Sequence, residues 1–293
     1  MQNILTEEKF NNYLGEAHFL RALYYFDLLT FYSGHKNNDP GIPLYTEMPD
    51  FDKAYRPRST PADVRKVMID DLTIAVERLP FRAYEKGRAS RSAALALLGK
   101  VYLYAENYAK AAEVFGQLIT ENAEAAEPYV LYSDFAELFK QKGEDNDESV
   151  FVIDCIAAQG NGSRMDLWYA ARSANCSGTN TSIPTKELVD AFLMADGKQY
   201  DGSNPDWTNR DAVNAFFAKR DPRLDATIIR PFGLFVGKDN ITYEYRAPYD
   251  SKVSPYQCLR SNHPSTNNYC WRKFCNEGNE TTIRRHSGID IPV

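Results

Sequence analysis

Three tryptophans of the 293-residue chain stand in polar stretches, beside side chains that make two-point hydrogen bonds. Trp168 and Tyr169 follow Arg164 and Asp166 in a segment rich in glycine and asparagine. Trp207 lies between Asp206 and Asn209-Arg210, and Trp271 follows Asn267, Asn268 and Tyr269. An aromatic ring offers a flat apolar face, while Asp, Asn and Arg offer paired donors or acceptors around it. That combination suits a binding surface rather than a reaction centre. The candidate ligand-binding residues are therefore Trp168, Tyr169, Asp166, Trp207, Arg210 and Trp271. For each ring the competing assignment is a cap on the core beneath a loop, and Trp271, directly before Arg272-Lys273-Phe274, fits that assignment too.

Residue patterns that would carry catalysis are missing. There is no Gly-x-Ser-x-Gly, His-Glu-x-x-His or phosphate-binding glycine loop. Glu144, Asp145, Asp147 and Glu148 could suggest glycoside hydrolysis, which needs two carboxyls held roughly 5 to 9 Å apart, but a run of adjacent acids in a polar loop reads as a solvated turn. Arg220-Asp221-Pro222-Arg223 reads as a charged helix end tied by an internal Arg–Asp pair and broken by Pro222. Five cysteines, at 155, 176, 258, 270 and 275, make neither a disulfide framework nor a Cys-x-x-Cys knuckle with His263 and His286. Buried or idle thiols are the preferred reading, and no metal or cofactor is expected.

Composition sets the broad class. The chain carries 34 basic and 40 acidic residues, a net charge of −6, which excludes a phosphate backbone as the expected partner. Aromatic residues make up 13%, with 19 tyrosines, an unusual choice for a plain helical bundle given their modest helix propensity. No run of eighteen apolar residues exists to span a bilayer. No charged start leading into an apolar stretch opens the chain, so a mature portion, a fragment or a cytosolic protein is expected. The apolar residues from Ile289 to Val293 suggest truncation at the other end.

The elements that must position these residues are mostly helices. Thr6 to Tyr32 reads as one long helix whose second half, FLRALYYFDLLTFY, is apolar nearly all round and so expected to be buried on most sides, with Tyr13, Tyr24 and Tyr25 in the core and Arg21 and Asp27 meeting buried polar partners. A proline-rich loop over 33–59 follows, in which only GIPLY could lie as a short strand or an anchored extended piece. Thr60-Pro61-Ala62-Asp63 is a cap, a first-turn proline and an acid at the positive helix end, opening a helix to about Leu79. Between Ala89 and Asn122 two further helices form a hairpin, with Ala93, Leu97, Leu98, Val101, Tyr102 and Ala105 on one inner face and Ala111, Ala112, Phe115, Leu118 and Ile119 on the other. Gly99 inside the first of these points to a helix that must come close. After Glu124 the pattern predicts a helical turn or two at 134–140, strands at 149–153, 226–229 and 241–245, helices at 184–194 and 209–219, loop over 158–183, and an ordered island at 271–274. The expected architecture is mainly α: tetratricopeptide-like hairpins over 1–123 as a scaffold, with a loop-rich region of few short strands over 124–293 packed on it as one unit.

Leu98-Gly99, Tyr102, Tyr108, Ala111 and Phe115 resemble one tetratricopeptide repeat. A broader resemblance runs through Gly15 to Leu28, GEAHFLRALYYFDL, and Gly41-Ile42-Pro43-Leu44. It continues through Thr60 to Asp71, the helical pair to Asn122, Pro184 to Phe192 with Asp196-Gly197, Arg220 to Leu224, Arg272-Lys273-Phe274 and Asp290-Ile291-Pro292-Val293. In this order the blocks resemble the SusD/RagB family of outer-membrane nutrient-binding lipoproteins. The resemblance implies a helical core with a loop-rich half packed on it, and non-catalytic capture of oligosaccharide or polysaccharide at the cell surface. It also implies a SusC-like, TonB-dependent transporter as partner and no nucleic acid. On a sugar, aromatic planes suit the C–H ring face and Asp, Asn or Arg the hydroxyl rim, which fits the residues singled out above. No leader or lipid-attachment cysteine is present, and the family's helices after the Asp-Ile-Pro-Val block are not, so membrane contact is expected only through an anchor absent from this chain. Peptide capture, as in the RagB-like branch, and an intracellular tetratricopeptide adaptor are the alternatives.

Overall fold

A computed structural model of the chain describes residues 5–34, 36–140, 143, 146–153, 182–237, 240–245, 258–259, 269–275 and 277–278. It is mainly helical and forms two compact units. One holds the described residues up to Val130 with Asp147–Ile153, the other those of Leu131–Asn146 and of Asp154–Asp290.

In the first unit four helices follow one another, α1 (Glu7–Tyr32), α2 (Pro61–Arg78), α3 (Arg91–Tyr104) and α4 (Tyr108–Glu124), each packed on the next. Their starts are fixed locally. The Thr6, Ser90 and Asn107 side chains accept from the backbone N–H three residues on, and Thr60 with Asp63 closes a reciprocal capping box ahead of Pro61. Phe19, Ala22, Leu23 and Phe26 of α1, Val64, Met68 and Leu72 of α2, and Ala93, Leu97 and Val101 of α3 form one core. Gly99 meets the α4 helix as its sequence position suggests: a Cβ there would sit 2.4 Å from the Phe115 ring.

Several expectations for these helices are corrected. Helix α1 is covered along one side only. Tyr25 is buried and exchanges hydrogen bonds with the backbone of Tyr45 at 2.7 and 3.0 Å, but Tyr24 is 61% exposed, Tyr13 is 46% exposed, and Asp27 faces solvent. On α4 the covered stripe runs through Ala111, Val114, Phe115 and Leu118; Ala112 and Ile119 are exposed, because the 3.6-residue turn carries them past the contact with α3. No strand forms at 149–153; Phe151 instead sets its ring edge-on to Phe19, 5.0 Å between centroids. The GIPLY segment is an anchored extended piece: Gly41 N–H donates to Ser59 O and Ser59 N–H to Ile42 O, both at 2.9 Å.

Three ion pairs tie described polar groups of this unit together. Asp71, almost wholly buried, accepts from Arg21 Nε at 2.7 Å and lies 2.6 Å from His18 Nδ1, so the sequence's expectation of a buried partner holds for Arg21. Arg88 meets Glu16 at 2.5 Å, and Arg91 grips both oxygens of Glu121 at 2.7 Å.

The second unit is built from short pieces: helices α5 (Phe135–Leu138), α6 (Lys186–Ala191), α7 (Arg210–Phe217) and α8 (Arg223–Thr227), and strands β1 (Ile228–Ile229), β2 (Leu234–Val236), β3 (Thr242–Tyr245), β4 (Cys258–Leu259) and β5 (Cys270–Trp271). Strands β1 and β5 pair antiparallel; β2 and β3 pair antiparallel with Leu234 opposite Glu244, and β4 joins β3 in parallel. Val189, Val213, Phe217, Leu224, Ile228 and Tyr269 form its core. Three boundaries differ from expectation. The helix predicted at 184–194 is only α6, since Met194 leaves it to bridge Arg220. Ala226 belongs to α8, and β2 has no counterpart in the sequence reading. Asp221 does pair with Arg223, at 2.5 Å. Arg220 does something else: it is buried, and its NH2 donates to the carbonyls of Val189 and Phe192 at 2.8 and 2.7 Å, satisfying the open C-terminal end of α6.

Candidate ligand-binding site

The start of α7 is set by two side-chain turns. Asp206 Oδ1 accepts from Thr208 N–H at 3.0 Å, then Asn209 Oδ1 accepts from Asp211 and Ala212 N–H at 3.0 and 3.1 Å. Arg210 is thereby the first residue of the helix. Its NH2 reaches Glu244 Oε2 on β3 at 2.7 Å, and its guanidinium stands 5.8 Å from the centre of the Phe232 ring. One turn on, Asn214 accepts from Arg230 NH1 at 2.7 Å, and Arg230 Nε donates to Asp225 at 3.0 Å. After β5, Arg272 NH1 meets Glu277 Oε1 at 2.5 Å while its NH2 donates to the Leu234 carbonyl; Glu277 Oε2 accepts from Val236 N–H at 2.9 Å.

Arg210, Asn214, Arg230 and Arg272, with the carboxylates of Asp225, Glu244 and Glu277, line one concave cavity of about 690 Å³ inside the second unit, together with Ile228, Gly233 and Lys140. Its rim includes Phe232, whose φ of +59° places a bulky residue in the left-handed region that favours glycine. That conformation is fixed by the turn between β1 and β2, where Phe232 N–H donates to Tyr245 O at 2.9 Å and Gly233 N–H to Arg230 O at 2.8 Å. Lys140 is paired with Glu137 at 2.8 Å. Each carboxylate among the described lining residues is held by an arginine. Elsewhere in the same unit Lys273 stands 3.7 Å over the Phe139 ring, and burial pulls its ammonium below the ordinary lysine range.

The candidates picked from the sequence separate in this frame. Arg210 lines the cavity. Trp207, three residues before it, is half-buried and rests on Phe216 and Phe217, with centroids 6.5 and 6.3 Å away. Trp271 pairs with Ile228 in β5, and it is the next residue, Arg272, that reaches the cavity. Asp166, Trp168 and Tyr169 lie outside the described residues, as do Cys155, Cys176, His263 and His286. Glu244, Arg230, Asp225 and Glu277 were not among the candidates. Asn214 was within reach of sequence reasoning, because it follows Arg210 by four residues on a helix and so shares its face. Glu244 had no local signal, since it lies 34 residues from Arg210, whereas Asp225 with Arg230 and Glu277 with Arg272 are each 5 residues apart. Among the described residues no cluster of His, Cys, Asp or Glu could hold a metal ion, and no helix is long and apolar enough to cross a membrane.

Comparison with known proteins bears on both units. A family model described as "Starch-binding associating with outer membrane" matches residues 2–103, and a model described as "SusD family" matches residues 139–293. A SusD-like protein of Bacteroides ovatus is 27% identical over 165 residues, 53% of this chain and 28% of its own. SusD-like protein P38 of Formosa agariphila is 31% identical over 112 residues, 38% of this chain and 21% of its own. Among solved structures, a SusD-like carbohydrate binding protein of Bacteroides fragilis superposes with a TM-score of 0.75 at 24% identity, over 100% of this chain and 54% of its own. A laminarin binding SusD-like protein gives 0.58 at 23%, over 94% and 54%. The chain therefore spans about half the length of these solved relatives, and at such identities they speak to fold alone.

Proposed function

This chain belongs to the SusD family, and on that premise we propose that it is a non-catalytic glycan-capturing protein associated with the outer membrane, passing oligosaccharide to a SusC-like, TonB-dependent transporter. The observation that carries this reading is a coincidence of place. The SusD match over residues 139–293 includes nearly the whole wall of the cavity and all six candidate residues, Asp166, Trp168, Tyr169, Trp207, Arg210 and Trp271. The cavity's chemistry is consistent with binding. It presents guanidinium groups hydrogen-bonded to carboxylates, with Phe232 and Ile228 as apolar surface, and no His, Cys, Ser or Thr among its described lining residues. In this reading Trp168, Tyr169 and Trp207 supply ring faces for stacking. Proteins of the same fold bear names that include carbohydrate and laminarin binding, which supports the ligand class.

Isothermal titration against a panel of plant, fungal and host oligosaccharides tests the reading. Heat with at least one glycan and none with peptides is expected. Peptide binding without glycan binding would transfer the protein to peptide capture. Association with a transporter is tested separately, by whether a TonB-dependent barrel co-purifies with the tagged protein from outer membranes.

A further inference from the structure

We propose that the cavity beneath Arg210 is a subsite for a neutral, hydroxyl-rich sugar unit and discriminates against uronate and sulfated sugars. The proposal rests on the glycan-capture reading above and adds the class of sugar. Its basis is charge balance at close range. Among the described residues three arginines line the cavity, and each faces a carboxylate that lines it too: Arg210 with Glu244 at 2.7 Å, Arg230 with Asp225 at 3.0 Å, and Arg272 with Glu277 at 2.5 Å. The remaining cation among the described lining residues, Lys140, is neutralised by Glu137 at 2.8 Å. Among the described residues these four pairs sum to zero, and they are short enough that a ligand meets both signs together.

An anionic sugar gains from such a site only by competing with a carboxylate already in place, and it then lies beside that displaced charge. Like charges at that separation repel while both lose water, so the exchange is unfavourable. A hydroxyl has the opposite relation to the pairs, because it donates and accepts. Each carboxylate oxygen carries two acceptor positions and each guanidinium five N–H donors, so a sugar hydroxyl can donate to one member of a pair and accept from the other without breaking it. Arg210 is the member best placed to do so, since about half of its side chain is exposed while Arg230 and Arg272 are largely covered. Asn214, beside Arg230, adds an amide of the same two-way character.

The test is titration of the protein with neutral gluco-, manno- and xylo-oligosaccharides and with oligogalacturonate and sulfated oligosaccharides of matched length, at low and high sodium chloride. A neutral oligosaccharide is expected to bind more tightly than any acidic one, with an affinity that hardly changes with salt. Arg210→Ala and Asn214→Leu are each expected to weaken it about 10-fold or more. Circular dichroism and thermal melting confirm that the variants are folded; Arg210, being half-exposed, can be truncated without opening the core. Tighter binding of an acidic oligosaccharide, weakening steeply with salt as charge attraction does, would overturn the neutral-sugar assignment. Neutral binding unchanged in both folded variants would overturn the cavity as its location while leaving glycan capture intact. Binding of no glycan would remove the reading on which the proposal stands, and the proposal with it.

Discussion

Arg21 of α1 holds Asp71 of α2 through two nitrogens, Nε to Oδ2 at 2.7 Å and NH2 to Oδ1 at 2.5 Å, and so ties the two helices together beside their shared apolar core. The pair is lopsided. The Asp71 side chain is 3% exposed and the Arg21 side chain 33%, so one charge depends on its partner and the other can reach water. Hydrogen bonding to Asp71 accordingly raises the Arg21 pKa above its ordinary value.

That asymmetry makes a prediction about single substitutions. Arg21→Met leaves a buried carboxylate with His18 alone, and is expected to cost about 2 kcal/mol after allowance for the exposed side of the guanidinium. Asp71→Asn keeps the shape and one acceptor oxygen, gives up the second hydrogen bond because its amide nitrogen is a donor, and lets Arg21 turn to water without leaving a buried charge behind, so its cost is expected to be smaller. Urea midpoints of the two variants check the order, and equal losses would mean that solvent already reaches Asp71.

Gly99 and Phe115 provide a second test of the helical unit. A methyl group at 99 would stand 2.4 to 2.8 Å from three ring carbons of Phe115, well inside contact distance. Although alanine favours helices by about 1 kcal/mol over glycine, Gly99→Ala is expected to destabilise by roughly 1 to 3 kcal/mol through overpacking. Shrinking the ring should restore part of the loss. The double variant Gly99→Ala with Phe115→Leu is thus expected to be more stable than Gly99→Ala alone, a non-additivity measurable by a thermodynamic cycle.

Tyr269 links the core of the second unit to pH. Burial pushes its phenol up to about 12, with the nearby Asp190 carboxylate acting in the same direction. Because the folded value lies above the unfolded one of about 10, the native state holds this proton more tightly. Its stabilising effect is complete below pH 10 and is lost as pH rises from 10 towards 12, on the order of 2 to 3 kcal/mol. Tyr269→Phe is expected to flatten that alkaline decline. If wild type and variant lose stability in parallel between pH 10 and 12, another group is responsible.

What was legible in the sequence follows from the range of the interactions involved. Thr60 with Asp63 announces a helix start because a cap is made within three residues. Gly99 was legible for a similar reason, since glycine within a helix implies a neighbour. The covered side of α1 was not, because Leu20, Tyr24 and Leu28 are as apolar as Phe19, Leu23 and Phe26, and periodicity cannot choose between two apolar faces. The strand at 234–236 is too short to show an alternating pattern, and its partner Glu244 at the cavity is chosen by sheet register rather than by local sequence. Arg210 was legible as a polar residue beside a tryptophan in a loop, but for a stacking surface; its observed partner is a carboxylate on a strand.

Trp207 separates packing from recognition. Its ring rests on Phe216 and Phe217, so Trp207→Ala removes aromatic contact from the edge of the core, and a melting temperature several degrees lower is expected. A ring that also stacks on a sugar would cost affinity as well, about 1 kcal/mol, or roughly five-fold, when binding is measured well below the melting temperature. Trp168→Ala supplies the contrast. If that ring serves the ligand alone, it should weaken binding by a similar factor at an unchanged melting temperature. Loss of stability without loss of affinity at 207, with the reverse at 168, would assign the first tryptophan to the scaffold and the second to the sugar. Unchanged affinity in both variants would refute stacking at either and leave Arg210 and its paired carboxylates as the recognition surface.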